Sequence, residues 1–123
     1  MARGLPVTRH HQINYVEFPS ADLRQTKAFF MSTFGWRFTD YGPDYTAFEG
    51  AGLEGGFFTS DQSSKSANGS ALVVFYSDNL EESQAIVEKN GGTIVTPIFA
   101  FPGGRRLHFT EPMGNEFAIW SEV

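Results

Sequence analysis

Two helix-length intervals of equal size constrain this chain more than any other feature of its sequence. Asp22 and Gly35 stand thirteen positions apart, and so do Asp78 and Gly91. Each interval opens with side chains able to accept from the free N–H groups of a helix start, and each closes on a glycine able to take the left-handed conformation that ends a helix. Ser20 or Asp22 would cap the first helix, in which Leu23, Phe30 and Phe34 recur at near-helical spacing. Ser77 or Asp78 would cap the second, from about Asn79 to Asn90, with Gly91-Gly92 as its stop.

The flanking segments repeat as well. Ile13 to Phe18 is rich in β-branched and aromatic residues and is stopped by Pro19-Ser20, which predicts a first strand. After the first helix come Trp36 to Tyr41, Tyr45 to Glu49 and Glu54 to Thr59, divided by Gly-Pro-Asp at 42 to 44 and by Gly50-Ala51-Gly52, as an antiparallel meander requires. Ser60 to Ser70 is polar and glycine-containing, a natural linker. Beyond it the order recurs, with strands at Ala71 to Tyr76, Thr93 to Thr96, Arg106 to Thr110 and Glu116 to Ser121, and turns at Pro102-Gly103-Gly104 and Pro112-Met113-Gly114-Asn115.

One strand, one helix and three strands, twice over, define an α+β chain built by internal duplication. The predicted fold is therefore two tandem βαβββ modules, 13–59 and 71–121, joined by the linker 60–70 and preceded by a lead-in over residues 1–12. A single four-stranded sheet with one helix leaves a face uncovered and is marginal alone. Two such curled mixed sheets side by side, each with its helix outside, would enclose a cleft fit for a ligand. At 123 residues the chain suits one domain of this kind.

Composition narrows the function. With 41% hydrophobic and 15% aromatic residues, including 13 Phe, there is material for a core and for a pocket. A formal net charge of -5 disfavours nucleic acid and anionic membranes as partners. Arg3, Arg9, His10 and His11 form a short polar cluster read as a solvated lead-in. The absence of Cys removes disulfides, thiolate metal sites, Cys nucleophiles and iron–sulfur clusters. Met1 to Pro6 lacks the apolar stretch of a signal peptide and no run is long enough to cross a bilayer, so a cytoplasmic location is the expectation.

Several segments resemble a known family. Ile13 to Leu23, Ala28-Phe29-Phe30 and Phe34-Gly35-Trp36 look like the opening strand and helix of vicinal oxygen chelate domains, the superfamily of glyoxalase I, bleomycin-resistance proteins and extradiol dioxygenases. Gly55-Gly56-Phe57-Phe58 resembles its glycine-rich fourth strand, and Glu111-Pro112-Met113-Gly114-Asn115 its closing Asp-Pro-x-Gly-Asn turn. The resemblance implies where a metal would be held in the metal-dependent members, by His, Glu or Gln on the first, fourth, fifth and eighth strands. Those positions fall on Tyr15, at or beside Phe57, on Leu72 and on Ala118. Hydrocarbon side chains offer a cation nothing, and a neutral phenol offers little. The expectation is no metal, no cofactor and no metal-dependent catalysis.

Strand parity puts Glu17 on the face of Tyr15 and Glu116 on that of Ala118, where the carboxylates would serve acid–base work, an unusual cation site, or a solvated rim. His108 is read as structural or exposed. Arg105 and Arg106 would either fork an anionic ligand or lie at a solvated edge. Of the aromatic set Tyr15, Phe57, Phe58, Tyr76 and Trp120, some must face the cleft. The expected cleft residues are Tyr15, Glu17, Phe57, Leu72, Tyr76, Glu116, Ala118 and Trp120, with no residue assigned a catalytic role, while Val16, Phe18, Phe117 and Ile119 pack under the helices. The expected function is metal-independent binding of a small organic molecule of unspecified identity, by a homodimer. A lyase, epimerase or dioxygenase with an atypical site, and a non-binding interaction module, are the alternatives.

Overall fold

The computed structural model describes residues 8–123. They fall into two compact units, one ending at Gln62 and the other spanning Ser63–Val123. Arg3 and the segment Met1 to Pro6 lie outside the described residues. Arg9, His10 and His11 are exposed.

In the first unit the order is β1 (Tyr15–Ser20), α1 (Leu23–Phe34), β2 (Arg37–Asp40), β3 (Tyr45–Glu49) and β4 (Glu54–Thr59). They form one mixed sheet in the order β1-β4-β3-β2, with β1 parallel to β4 and the other pairs antiparallel. β1 runs through Pro19 rather than ending there, because it is an edge strand, where a missing N–H is tolerated. Asp22 caps α1 by accepting from the N–H groups of Arg24 and Gln25, and Gly35 closes it at φ 72°. The hydrogen bonds from the Gln25 side chain and backbone hold the Asp22 carboxyl below its ordinary range.

The core of this unit is aromatic. Phe30 stacks on Trp36 at 4.4 Å between ring centroids, and Trp36 on Phe48 at 4.3 Å. Phe57 completes the cluster at 5.4 Å from both Phe18 and Phe30, and is fully buried. This corrects the placement of Phe57 in the cleft. Parallel pairing aligns Phe57 with Phe18 and Gly56 with Glu17, so Phe57 shares the helix-covered face. The two glycines beside it work in opposite directions. A Cβ on Gly55 would meet the Phe48 ring and the Val16 carbonyl oxygen, while a Cβ on Gly56 would meet the Tyr45 phenol on the other face. β4 is thus bare where an aromatic side chain crosses it on each side.

The second unit has the same topology: β5 (Val73–Tyr76), α2 (Leu80–Lys89), β6 (Thr93–Phe101), β7 (Gly104–Thr110) and β8 (Glu116–Ser121), in the sheet order β5-β8-β7-β6. Leu80, Val87, Leu107, Phe109, Phe117 and Ile119 form its core, each at most 1% exposed. The chain is α+β with two four-stranded mixed sheets and two helices, as its sequence predicts.

Three expectations about this half need correction. The cap of α2 is neither Ser77 nor Asp78 but Asn79, whose side chain accepts from the Glu82 N–H. The true repeat is visible in the hydroxyl pairs at each strand-to-helix junction. Ser20 Oγ accepts from Asp22 N–H and meets Thr26 Oγ1, just as Ser77 Oγ accepts from Asn79 N–H and meets Ser83 Oγ. These pairs share one sequence offset, a residue longer than the Asp22-to-Asp78 spacing. Next, β6 continues past Pro97 to Phe101, since it is an edge strand whose register shifts between Thr96 and Phe99 accommodate the proline. Lastly, the later part of the linker is tied down: Glu116 N–H donates to Ser64 O at 2.8 Å, and Ser64 N–H donates to Asn115 Oδ1 at 2.7 Å. The Glu111–Asn115 turn that anchors it is held by the buried Glu111 carboxylate, which accepts from the N–H groups of Met113 and Asn115.

Candidate functional sites on the helix-free faces

Each sheet has one face under its helix and one without, and strand registers assign every side chain to one of them. On the helix-free face of the first unit, Tyr15, Glu17 and Tyr45 form a hydrogen-bonded set. Tyr45 donates to Glu17 Oε2 at 2.7 Å, and its oxygen lies 2.6 Å from the Tyr15 hydroxyl. With its one proton committed to Glu17, Tyr45 accepts from Tyr15. Partial burial, and then the bonds to Tyr15 and Glu17, push the Tyr45 phenol far above its usual pKa, so it remains a neutral donor. Beside this set lies a hollow of about 340 Å³ walled by Tyr15, Thr39, Tyr41, Ala47, Glu49 and Glu54. Arg37 Nε stands 3.5 Å from Glu49, leaving Glu54 as the acidic group of the wall.

On the helix-free face of the second unit a longer polar chain crosses the sheet. Ser66 donates its N–H and its hydroxyl to Glu116 Oε1, both at 2.8 Å. Glu116 Oε2 lies 3.2 Å from His108 Nδ1, and His108 Nε2 lies 3.2 and 3.1 Å from Arg106 Nε and Nη2. A guanidinium only donates, so Nε2 is the acceptor and the imidazole proton sits on Nδ1, donated to Glu116. The His108 and Glu116 side chains are 18% and 12% exposed. Around Arg106 stand aromatic rings, with Phe99 and Phe101 each 6.0 Å from its guanidinium carbon. Trp120 lies 5.1 Å from Tyr76 and 6.1 Å from Phe101. A hollow of about 330 Å³ opens here, lined by Val74, Phe101, Gly103, Arg106 and Trp120.

Partial burial alone would raise the Glu116 carboxyl, but the Ser66 and His108 hydrogen bonds outweigh it and hold the pKa below the ordinary glutamate value. A depressed folded-state pKa contributes stability that is present above the unfolded value and is lost as pH falls through the folded one. Glu116→Gln is therefore expected to flatten the acid limb of the stability profile below about pH 4.5, read by chemical denaturation from pH 3 to 7. An unchanged acid limb would show that ionisation of Glu116 is not coupled to folding.

Of the residues expected at the cleft, Tyr15 and Glu17 meet on the first unit's helix-free face, and Tyr76, Glu116, Ala118 and Trp120 share that of the second. Ala118, though on that face, is fully buried. Leu72 precedes β5 and is half-buried. Arg105 and Arg106 do not act together. Arg105 turns to the helix side and forks Glu81 of α2 at 2.5 and 3.1 Å, while Arg106 faces the hollow. Tyr45, Glu54, Val74, Phe99 and Phe101 were not legible as site residues, because the faces of central strands and of β6 depend on registers and bulges between strands.

A metal centre of the superfamily's kind does not fit these residues. Leu72 and Ala118 have no donor atom, and the Tyr15 hydroxyl is engaged with Tyr45. Glu54 does pair in register with Tyr15, supplying one carboxylate on the fourth strand. Among the described residues no three His, Cys, Asp or Glu side chains are grouped to hold a cation.

The sequence pattern of the Glyoxalase/Bleomycin resistance protein/Dioxygenase superfamily matches residues 12–119, and the chain belongs to that superfamily. Among solved structures it is similar to a glyoxalase-related enzyme from Fulvimarina pelagi, with TM-score 0.75 at 15% identity over 91% of this chain and 88% of that one. It is similar to a mutant of the fosfomycin resistance protein FosX from Listeria monocytogenes complexed with Mn(II) and 1S,2S-dihydroxypropylphosphonic acid, with TM-score 0.75 at 18% identity over 91% and 90% of the two chains. The antibiotic binding protein TnmS3 from a Streptomyces strain gives TM-score 0.67 at 15% identity over 95% and 100%. The chain has no significant sequence match among curated proteins. Among the described residues no helix is long and apolar enough to cross a membrane.

Proposed function

We propose that this protein binds a small organic molecule on its aromatic helix-free faces and needs no metal to do so. The observation that carries the reading is the hollow beside Trp120, where apolar and aromatic walls surround one guanidinium, the mixture of surfaces that small-molecule sites present. The donor-poor positions Tyr15, Leu72 and Ala118 support the metal-free part. The similarity to an antibiotic binding protein supports the binding of a small organic molecule. The Glu116 carboxylate is already engaged by Ser66 and His108. A homodimer belongs to the same reading, since each sheet ends in edge strands and apolar side chains such as Val95 stand 47% exposed. Elemental analysis and light scattering of protein purified without chelator test both parts. The expected result is no stoichiometric transition metal and a dimer mass that persists on dilution. A tightly bound metal near one per chain, lost on Glu54→Gln or Glu17→Gln, would overturn the metal-free reading, and a monomer mass throughout would overturn the dimer.

A further inference from the structure

We infer that the hollow of the second unit receives a small aromatic carboxylate, with Arg106 forking the carboxylate and Trp120 and Phe101 flanking the ring. This rests on the small-molecule reading above and names the ligand class for it.

The first reason is the state of Arg106. The chain is acidic, with 14 Asp and Glu against 9 Lys and Arg. Lys27, Arg37 and Arg105 each have a carboxylate partner, at Asp40, Glu49 and Glu81. Arg106, only partly exposed, has none and is given a neutral imidazole instead. That contact engages Nε and Nη2. The Nη1 donors, and the remaining Nη2 donor beside them, have no partner among the described residues. Two parallel N–H groups on one edge of a guanidinium match a planar two-oxygen acceptor. A partly buried cation without a counter-charge is costly, and an anionic ligand removes that cost.

The second reason is what surrounds the edge. Phe99 and Phe101 both stand 6.0 Å from the guanidinium, and β7–β8 pairing sets Trp120 directly opposite Arg106. Flat apolar walls beside a fork suit a flat apolar body bearing the carboxylate. The nearby acids do not oppose it. Glu116 is screened behind His108 and satisfied by Ser66, and Glu122 accepts from the Tyr76 hydroxyl at 3.0 Å. The first unit's hollow, by contrast, carries Glu54 and no comparable fork. A volume of about 330 Å³ holds a bicyclic ring with its acid group. His108 accepts from Arg106 and is itself held by Glu116, which ties the guanidinium to the sheet beside the hollow.

The test compares 1-naphthoate with the neutral 1-naphthamide by calorimetry, alongside tryptophan fluorescence, since Trp36 is buried in the first unit's core and Trp120 is the accessible reporter. The expected result is that naphthoate quenches the fluorescence and binds about tenfold to a hundredfold more tightly than the amide. Arg106→Gln should level the two probes, and Arg106→Lys, which keeps the charge without the fork, should retain part of the difference. Thermal melts confirm that each variant is folded. Equal binding of both probes, or an undiminished preference in Arg106→Gln, would overturn the carboxylate assignment while leaving binding of neutral aromatics intact. Binding of neither probe would overturn it as well, and the wider small-molecule reading then stands or falls on a fragment screen.

Discussion

Truncating Phe57 to alanine is expected to destabilise the protein by about 3–5 kcal/mol, the range for removing a fully buried phenylalanine without collapse of the site. Its ring lies close to those of Phe18, Phe30 and Phe48, the last two of which stack on Trp36, so little of the cavity can be filled by a shifting neighbour. Phe117→Ala in the second unit should behave alike, since Phe117 is fully buried against Phe75 and Phe109. Tyr15→Ala and Trp120→Ala stand in contrast. Tyr15 is 42% exposed, and Trp120 walls an open hollow, so each should cost less than half as much. Urea denaturation of the four variants compares the faces directly. Equal losses on both faces would mean that Tyr15 and Trp120 are core residues and that the hollows are not available to a ligand.

The second large effect separates two adjacent glycines. Gly55→Ala is expected to cost about 3 kcal/mol or more, at the upper end of overpacking penalties, because the new methyl meets the Val16 carbonyl oxygen, which β1–β4 pairing holds in place, as well as the Phe48 ring. Gly56→Ala meets the end of the Tyr45 side chain, which can swing aside, so its cost should be about 1 kcal/mol. Its effect falls on the helix-free face instead, where the Tyr15–Tyr45–Glu17 set is broken. Melting curves give the stabilities, and a double variant Gly56→Ala/Tyr45→Ala should recover the loss while Gly55→Ala should not be recovered by any change at Tyr45. A Gly55→Ala protein as stable as the parent would contradict the close β1–β4 approach.

How much of this was legible in the chain follows from the range of each interaction. β3, β4 and β8 have their expected bounds because turn glycines and prolines next to them act locally. The body of α1, its Asp22 cap and its Gly35 stop were legible for the same reason. The cap of α2 is Asn79 and not Ser77 or Asp78, a choice that local sequence leaves open because all three are competent acceptors, while the Ser77–Ser83 hydroxyl pair engages Ser77 elsewhere. β6 was cut short because a proline reads as a stop unless the strand is known to be an edge. The face of Phe57 is not legible in the sequence, since the double glycine before it gives no amphipathic pattern from which to count. The Arg106–His108–Glu116–Ser66 chain joins three separate segments, and no local spacing announces it. Parity within a strand is local, so the shared faces of Tyr15 with Glu17 and of Ala118 with Trp120 follow from the sequence and agree with the registers.

Uptake of a small organic molecule by the helix-free faces, through aromatic and polar side chains and without a metal, has a spectroscopic signature. Amide chemical-shift mapping of a library of small aromatic fragments, run with and without a chelator, tests it most directly. The expected result is a set of fragments whose perturbations concentrate at Val74, Tyr76, Arg106 and Trp120 and whose affinities are unchanged by the chelator. Perturbations confined to the helix-covered faces, or binding that appears only when a divalent cation is supplied, would contradict it.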